Sequence, residues 1–220
     1  IVLPGYGAGD LAMAPLRAVL KRSGYHAEGW GLGMNRGGAG MISDLKELSD
    51  RWDIDRTREH FGEGEVPALV DRFVDRVIER RAALGRPVVL IGWSLGGMIA
   101  REAARELPDD VAAVIPLGSP VNGGPKHTTV APIFKARRMD LDWIETAIED
   151  RAVRPISQPI TAVYSKTDGI VSEYAALDTD NLNVRHVEVH VSHLAMGGNA
   201  QVWGIIADAL RSANEKPAEN

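Results

Sequence analysis

The strongest constraint on this chain is an alternation. Short aliphatic runs at residues 1–3, 88–91, 111–117, 160–164 and 184–191, with a weaker one near 25–30, are separated by stretches of helical period. The stretch 66–84 spaces Leu69, Val70, Phe73, Val74, Val77 and Ile78 as one buried helix stripe. Residues 11–22, 95–107 and 200–210 read as further helices, with Leu16, Val19 and Leu20 on one side of the first and Val202, Ile205, Ile206 and Leu210 on one side of the last. Strands divided by helices imply parallel βαβ units, an α/β fold whose sheet is covered on both faces. One domain spanning 1–220 is expected, since neither a repeat nor an interdomain linker interrupts the pattern. Two segments fall outside the rhythm. Residues 121–158 form a long connection with one short helix near 140–150, which reads as a lid-like insertion. The polar end 212–220 (SANEKPAEN) reads as a disordered tail.

Charge and composition exclude several functions. The net charge of -5 gives no basic surface for nucleic acid or an anionic membrane. The absence of cysteine rules out disulfides, thiolate metal sites and a cysteine nucleophile, and leaves the redox compartment open. No apolar run reaches the roughly 18 residues that span a bilayer. A soluble chain, cytoplasmic or secreted, is the expectation.

The run LIGWSLGG, residues 90–97, puts Ser94 at the carboxyl end of an aliphatic strand and at the start of a helix. Ligands of open parallel sheets bind beyond those strand ends. So tight a strand-to-helix bend needs Gly92 and Gly96 to avoid collision, and Gly97 to let the helix lie on the sheet. Ser94 then stands at a helix N-terminus, where the free N–H of Leu95 can face a developing oxyanion. In that strand–turn–helix setting the serine reads as a nucleophile.

A serine hydroxyl needs a base. In VRHVEVHVSHLAMG, strand alternation sends His186 and His190 to a solvated face, and ~13 Å of strand separates them, too far for a shared metal. His193 lies past the strand, at the same sheet edge as Ser94, and is the candidate base. Asp168, following the strand at 160–164, is the candidate acid that orients it, with Asp178 and Asp180 as weaker choices. The order Ser94, Asp168, His193 suits this kind of elbow. A second oxyanion donor is expected after the first strand, in PGYGAGD, from the N–H of Tyr6 with Gly7 as the alternative. The glycines there and at 31–33 lack dinucleotide or P-loop spacing, so no cofactor is expected.

Taken together, the strand-G-W-S-L-G-G-helix segment, LPGYGAGD, YSKTDGIV and VSHLAMG resemble the α/β-hydrolase superfamily over nearly the whole chain, and within it small bacterial lipases and esterases with a sheet of about six strands. LGSPVNGG, residues 117–124, is similar to a strand end and loop of those lipases. The resemblance implies a serine hydrolase acting on a small-molecule acyl ester, with Ser94, His193 and Asp168 as the triad and Leu95 and Tyr6 as oxyanion donors. It implies no metal and no organic cofactor. The chain departs from the pattern at Pro4-Gly5, where a His-Gly is usual.

Tyr6, Trp93, Leu95, Val121 and Ile170 flank the strand ends and are candidate substrate contacts, although Trp93 could equally pack inside the elbow. In the insertion, Leu141, Ile144 and Ile148 share a helix face beside Trp143, which either packs on the body or caps a lipid-like substrate. Lys135, Arg137 and Arg138 read as a solvated loop, and the turn after Trp30 as a border of the cleft. The same triad would serve an acyltransferase or thioesterase. A cofactor-independent lyase or perhydrolase, or a non-catalytic binding protein on the same frame, are the other readings.

Overall fold

The computed structural model describes residues 1–215. Five strands, β1 (Val2–Leu3), β2 (Val88–Trp93), β3 (Val111–Leu117), β4 (Ile160–Tyr164) and β5 (Val184–Glu188), form one sheet in sequence order, every neighbouring pair parallel. The weak run at 25–30 adds only a parallel bridge between Gly29 and Val2, on the outer side of β1. The sheet is thus five strands and a remnant of a sixth.

Side chains alternate across the sheet and build two cores. Leu3, Leu90, Val114 and Ile160 face α2 (Glu65–Leu84) and α3 (Leu95–Glu106). Val2, Ile91, Ile115 and Val163 face α1 (Ala14–Arg22) and α7 (Ala200–Glu215). The stripe of α2 ends at Val77, because Ile78 is turned out and 43% exposed. The last aliphatic run leaves the sheet after Glu188, since its neighbour β4 stops at Tyr164 and offers only one more carbonyl, to Val189 N–H. Helix α7 continues through Glu215, so 212–215, expected in the polar tail, are helical; residues 216–220 lie outside the described part.

Two long connections sit over the carboxyl ends of the strands. Residues 31–64 hold one 3-10 turn, Leu45–Glu47, yet bury Leu45, Leu48 and Trp52 in the α2 core. Asp71 of α2 pins this loop by accepting from Ser49 Oγ at 2.8 Å and Trp52 Nε1 at 3.1 Å. Residues 121–158 carry α4 (Ala131–Ala136) and α5 (Leu141–Ala152), where the sequence suggested a single helix. Asp140 caps α5 by accepting from Trp143 N–H at 3.0 Å. A four-residue α6 (Glu173–Ala176) follows β4.

Register aligns the strand ends. Gly92 pairs with Pro116, Trp93 with Leu117, and Leu117 with Val163. The loops after β2, β3 and β4 therefore open at one rim, whatever their distance in sequence.

Candidate active site

Ser94 occupies φ 55°, ψ -126°, a conformation a non-glycine residue holds only when its surroundings impose it. The imposing contacts are visible. A side-chain carbon at Gly92 would fall on the Gly96 backbone, one at Gly96 would lie 2.6 Å from the Pro4 carbonyl, and one at Gly97 would strike Ser119 Oγ. Glycine lets strand, turn and helix close to these distances. Ser94 N–H donates to Leu117 O at 2.9 Å, which ties the bend to β3.

The structure brings the three expected side chains together. His193 Nε2 lies 2.9 Å from Ser94 Oγ, and His193 Nδ1 lies 2.9 Å from Asp168 Oδ2. The other Asp168 oxygen accepts from Ile170 N–H at 2.9 Å and Val171 N–H at 2.7 Å. A carboxylate only accepts, so Nδ1 carries the imidazole proton and Nε2 turns a lone pair toward the hydroxyl. Asp168 and His193 are 5% and 4% exposed, so water competes little for these bonds. Backbone contacts hold the pair in place: His193 N–H donates to Asp168 O at 2.8 Å.

The loop after β1 lies against the elbow. A side chain at Gly5 would touch the Trp93 ring at 3.0 Å and Ser94 Cβ at 3.1 Å. Among the described residues, the N–H groups of Tyr6 and Leu95 have no backbone acceptor. Gly7, the alternative donor, already donates to Asn35 O at 2.7 Å. Asn35 had no signal in the sequence. It is fully buried, its Nδ2 donates to Pro4 O at 2.9 Å, and its Oδ1 accepts from Gly37 N–H at 3.0 Å.

A cavity of about 160 Å³ opens beside Ser94. Its walls are mainly apolar and include Tyr6, Leu95, Met98, Val70, Phe134 and Ile170. Of the expected substrate contacts, Tyr6, Leu95 and Ile170 line it; Trp93 and Val121 are not among its lining residues. Trp93 ends β2 on the opposite sheet face, packed in the α1–α7 core, where its Nε1 donates to His193 O at 3.0 Å and its ring lies 5.5 Å from the imidazole. Val121 turns into the interior, 1% exposed, and Pro120 takes the wall position. In α5, Trp143, Ile144 and Ile148 face the cavity while Leu141 is buried. The border after Trp30 is made by Arg36 and Gly37 rather than by residues 31–33.

The weaker carboxylate candidates are committed elsewhere. Asp178 accepts from Arg101 Nε at 2.8 Å and Nη2 at 3.2 Å, and Asp180 lies 3.7 Å from the same guanidinium. His186 accepts from Asp178 N–H at 3.0 Å, and both His186 and His190 are exposed.

The model of the alpha/beta hydrolase family matches residues 1–208. A search of the curated proteins gave no match. Among solved structures, a monoacylglycerol lipase from Paleococcus ferrophilus is similar at 14% identity and a TM-score of 0.60, covering 96% of this chain and 93% of that one. An esterase from Thermogutta terrifontis is similar at 15% identity and a TM-score of 0.56, covering 96% and 89%. A thioesterase domain, NocB, aligns at 19% identity and a TM-score of 0.52, over 98% and 94%. Likeness at these identities speaks to the fold. With the family model spanning almost its full length and a five-stranded parallel sheet wrapped by helices beneath it, this chain belongs to the alpha/beta hydrolase family.

Proposed function

We propose that the protein is a serine hydrolase of carboxylic esters that works through an acyl-enzyme on Ser94. The observation that carries this reading is the unbroken line from Asp168 through His193 to Ser94, each link 2.9 Å. His193 Nε2 takes the hydroxyl proton as Oγ attacks the ester carbonyl. The carbonyl oxygen becomes an oxyanion held by the N–H groups of Leu95 and Tyr6. Protonated His193 then delivers its proton to the leaving alcohol, the ester C–O bond breaks, and the acyl group stays on Ser94. Water, deprotonated by the same nitrogen, attacks the acyl-enzyme; the bond to Oγ breaks, the acid leaves, and His193 returns the proton to Ser94. Asp168 fixes the tautomer and stabilises the imidazolium through both steps. The esterase and lipase among the structural relatives agree with an ester substrate, and the apolar cavity suits an acyl chain. Helix α5 with its connection serves as the cap of that cavity.

The test is covalent labelling by a fluorophosphonate together with release of p-nitrophenol from p-nitrophenyl esters. The wild-type chain is expected to label and turn over, and Ser94→Ala to do neither while melting cooperatively. Labelling of Ser94→Ala at the wild-type rate would remove the nucleophile from the scheme.

A further inference from the structure

The cavity beside Ser94 has a far end, and that end is charged. Leu95, Met98 and Glu102 line it from α3 at spacings of three and four residues, one helix face. Ile144, Ile148 and Arg151 line it from α5 in the same way, and Val66 and Val70 from α2. These faces make a trough that begins at the serine. Ion pairs tie α3 to α5 at the far side of this trough: Arg151 Nε donates to Glu102 Oε2 at 2.6 Å, and Arg151 Nη2 donates to Glu106 Oε1 at 2.7 Å. Trp52, also a wall residue, has its ring 3.9 Å from the Arg151 guanidinium carbon. Arg101 and Arg105 bond the Glu102 carboxylate as well, at 3.1 and 3.2 Å, so neither oxygen is free for a ligand.

Resting on the ester-hydrolase reading, we propose that α3 acts as a ruler for the acyl chain, and that the wall of Glu102, Arg151 and Trp52 makes esters of medium-chain fatty acids the substrate class. The helix sets the length. Ser94 and Glu102 are eight residues apart. At the helical rise this is ~12 Å, the reach of an extended acyl chain of about eight to ten carbons. Up to the wall, each methylene buried strengthens binding about fourfold. Past it, a methyl must part an ion pair whose side chains are only 11% and 8% exposed, and breaking a largely buried pair outweighs the burial of several methylenes.

Rates are measured over p-nitrophenyl esters from butanoate to palmitate, each below its micellar concentration. The wild type is expected to peak in kcat/KM at octanoate or decanoate and to fall about tenfold or more by palmitate. Met98→Trp places an indole one turn from Ser94, and should lower the decanoate-to-butanoate ratio about tenfold or more. Trp52→Ala opens the wall and should raise the palmitate-to-decanoate ratio. Each ratio is taken within one protein, so a general loss of activity does not imitate the shift. A peak at palmitate, or a Met98→Trp ratio equal to that of the wild type, overturns the ruler and leaves ester hydrolysis standing. If the wild type cleaves no ester and carries no Ser94-dependent label, the hydrolase reading fails and the ruler with it. Where a variant does not fold, wild-type labelling by butyl, decyl and hexadecyl fluorophosphonates decides: decyl fastest supports the ruler, and hexadecyl as fast as decyl overturns it.

Discussion

Replacing Asp168 by asparagine tests the site through a single proton. The carboxylate uses both oxygens: Oδ1 accepts two backbone N–H groups, from Ile170 and Val171, while Oδ2 accepts from His193 Nδ1. An amide has only one oxygen. In Asp168→Asn that oxygen must stay opposite the two N–H donors, because an NH2 there would meet donors with donors. The NH2 is then forced toward His193 Nδ1, which must become an acceptor. The imidazole proton moves to Nε2 and points at Ser94 Oγ, leaving no lone pair to receive the hydroxyl proton. Shape and packing barely change, yet kcat is expected to fall by roughly 10⁴, about 5 kcal/mol of transition-state stabilisation. Stability should fall far less, by about 1–2 kcal/mol for a charge-assisted acceptor exchanged for a neutral one. For a chain of this size that lowers the melting temperature by roughly 2–8 °C. Steady-state hydrolysis of a p-nitrophenyl ester and a thermal melt on the same sample give both numbers. A cooperatively folded Asp168→Asn that keeps more than about a tenth of wild-type kcat would refute the tautomer argument.

Two other perturbations probe the loop and the cavity end. Asn35→Ala strips partners from the buried Pro4 carbonyl and Gly37 N–H, a cost of roughly 2–4 kcal/mol that should appear as a melting temperature lower by about 5–15 °C. Because that loop carries the Tyr6 N–H, kcat should drop roughly tenfold to a hundredfold with KM little changed, and a wild-type kcat would show that the loop holds no donor. Burial alone would raise the Glu102 carboxyl, but Arg105, Arg101 and Arg151 outweigh it and lower it from 4.5 to about 2. A depressed carboxylate stabilises the fold fully above its unfolded value and loses that contribution as pH falls. Denaturant titrations should therefore lose on the order of 3 kcal/mol between pH 4.5 and 2, a slope flattened in Glu102→Gln. An unchanged slope in that variant would assign the acid lability to other carboxylates.

What could be read in the sequence, and what could not, follows the range of the forces involved. Alternating aliphatic runs and helix stripes announce a parallel sheet covered on both sides, because burial acts position by position along each element. The bend at Ser94 was equally legible from its glycine spacing, and the clash that demands Gly92 is local, against the backbone of Gly96, whereas the neighbours that crowd Gly96 and Gly97 include Pro4 and Ser119, which only the fold brings there. The rim shared by Ser94, Asp168 and His193 could be anticipated because strands of a parallel sheet all end on one side. For Trp93 the sequence left contact and packing inside the elbow open, because strand alternation does not say which sheet face the cavity takes, and Val121, in the loop after β3, turns into the interior. The cavity lies on the α2–α3 face and the Trp93 indole on the other. Asn35 and the wall of Glu102 and Arg151 left no trace at all. A carboxylate and a guanidinium far apart in a chain read as solvated surface; only when α5 folds back over α3 do they lose water and become worth more to each other than to solvent. The sequence by itself determined the layers, the bend and the edge where the groups gather, because those depend on local sterics and periodic burial. The tertiary structure alone decided which face the cavity took and where it ends, because desolvated contacts exist only between segments that the completed fold brings together.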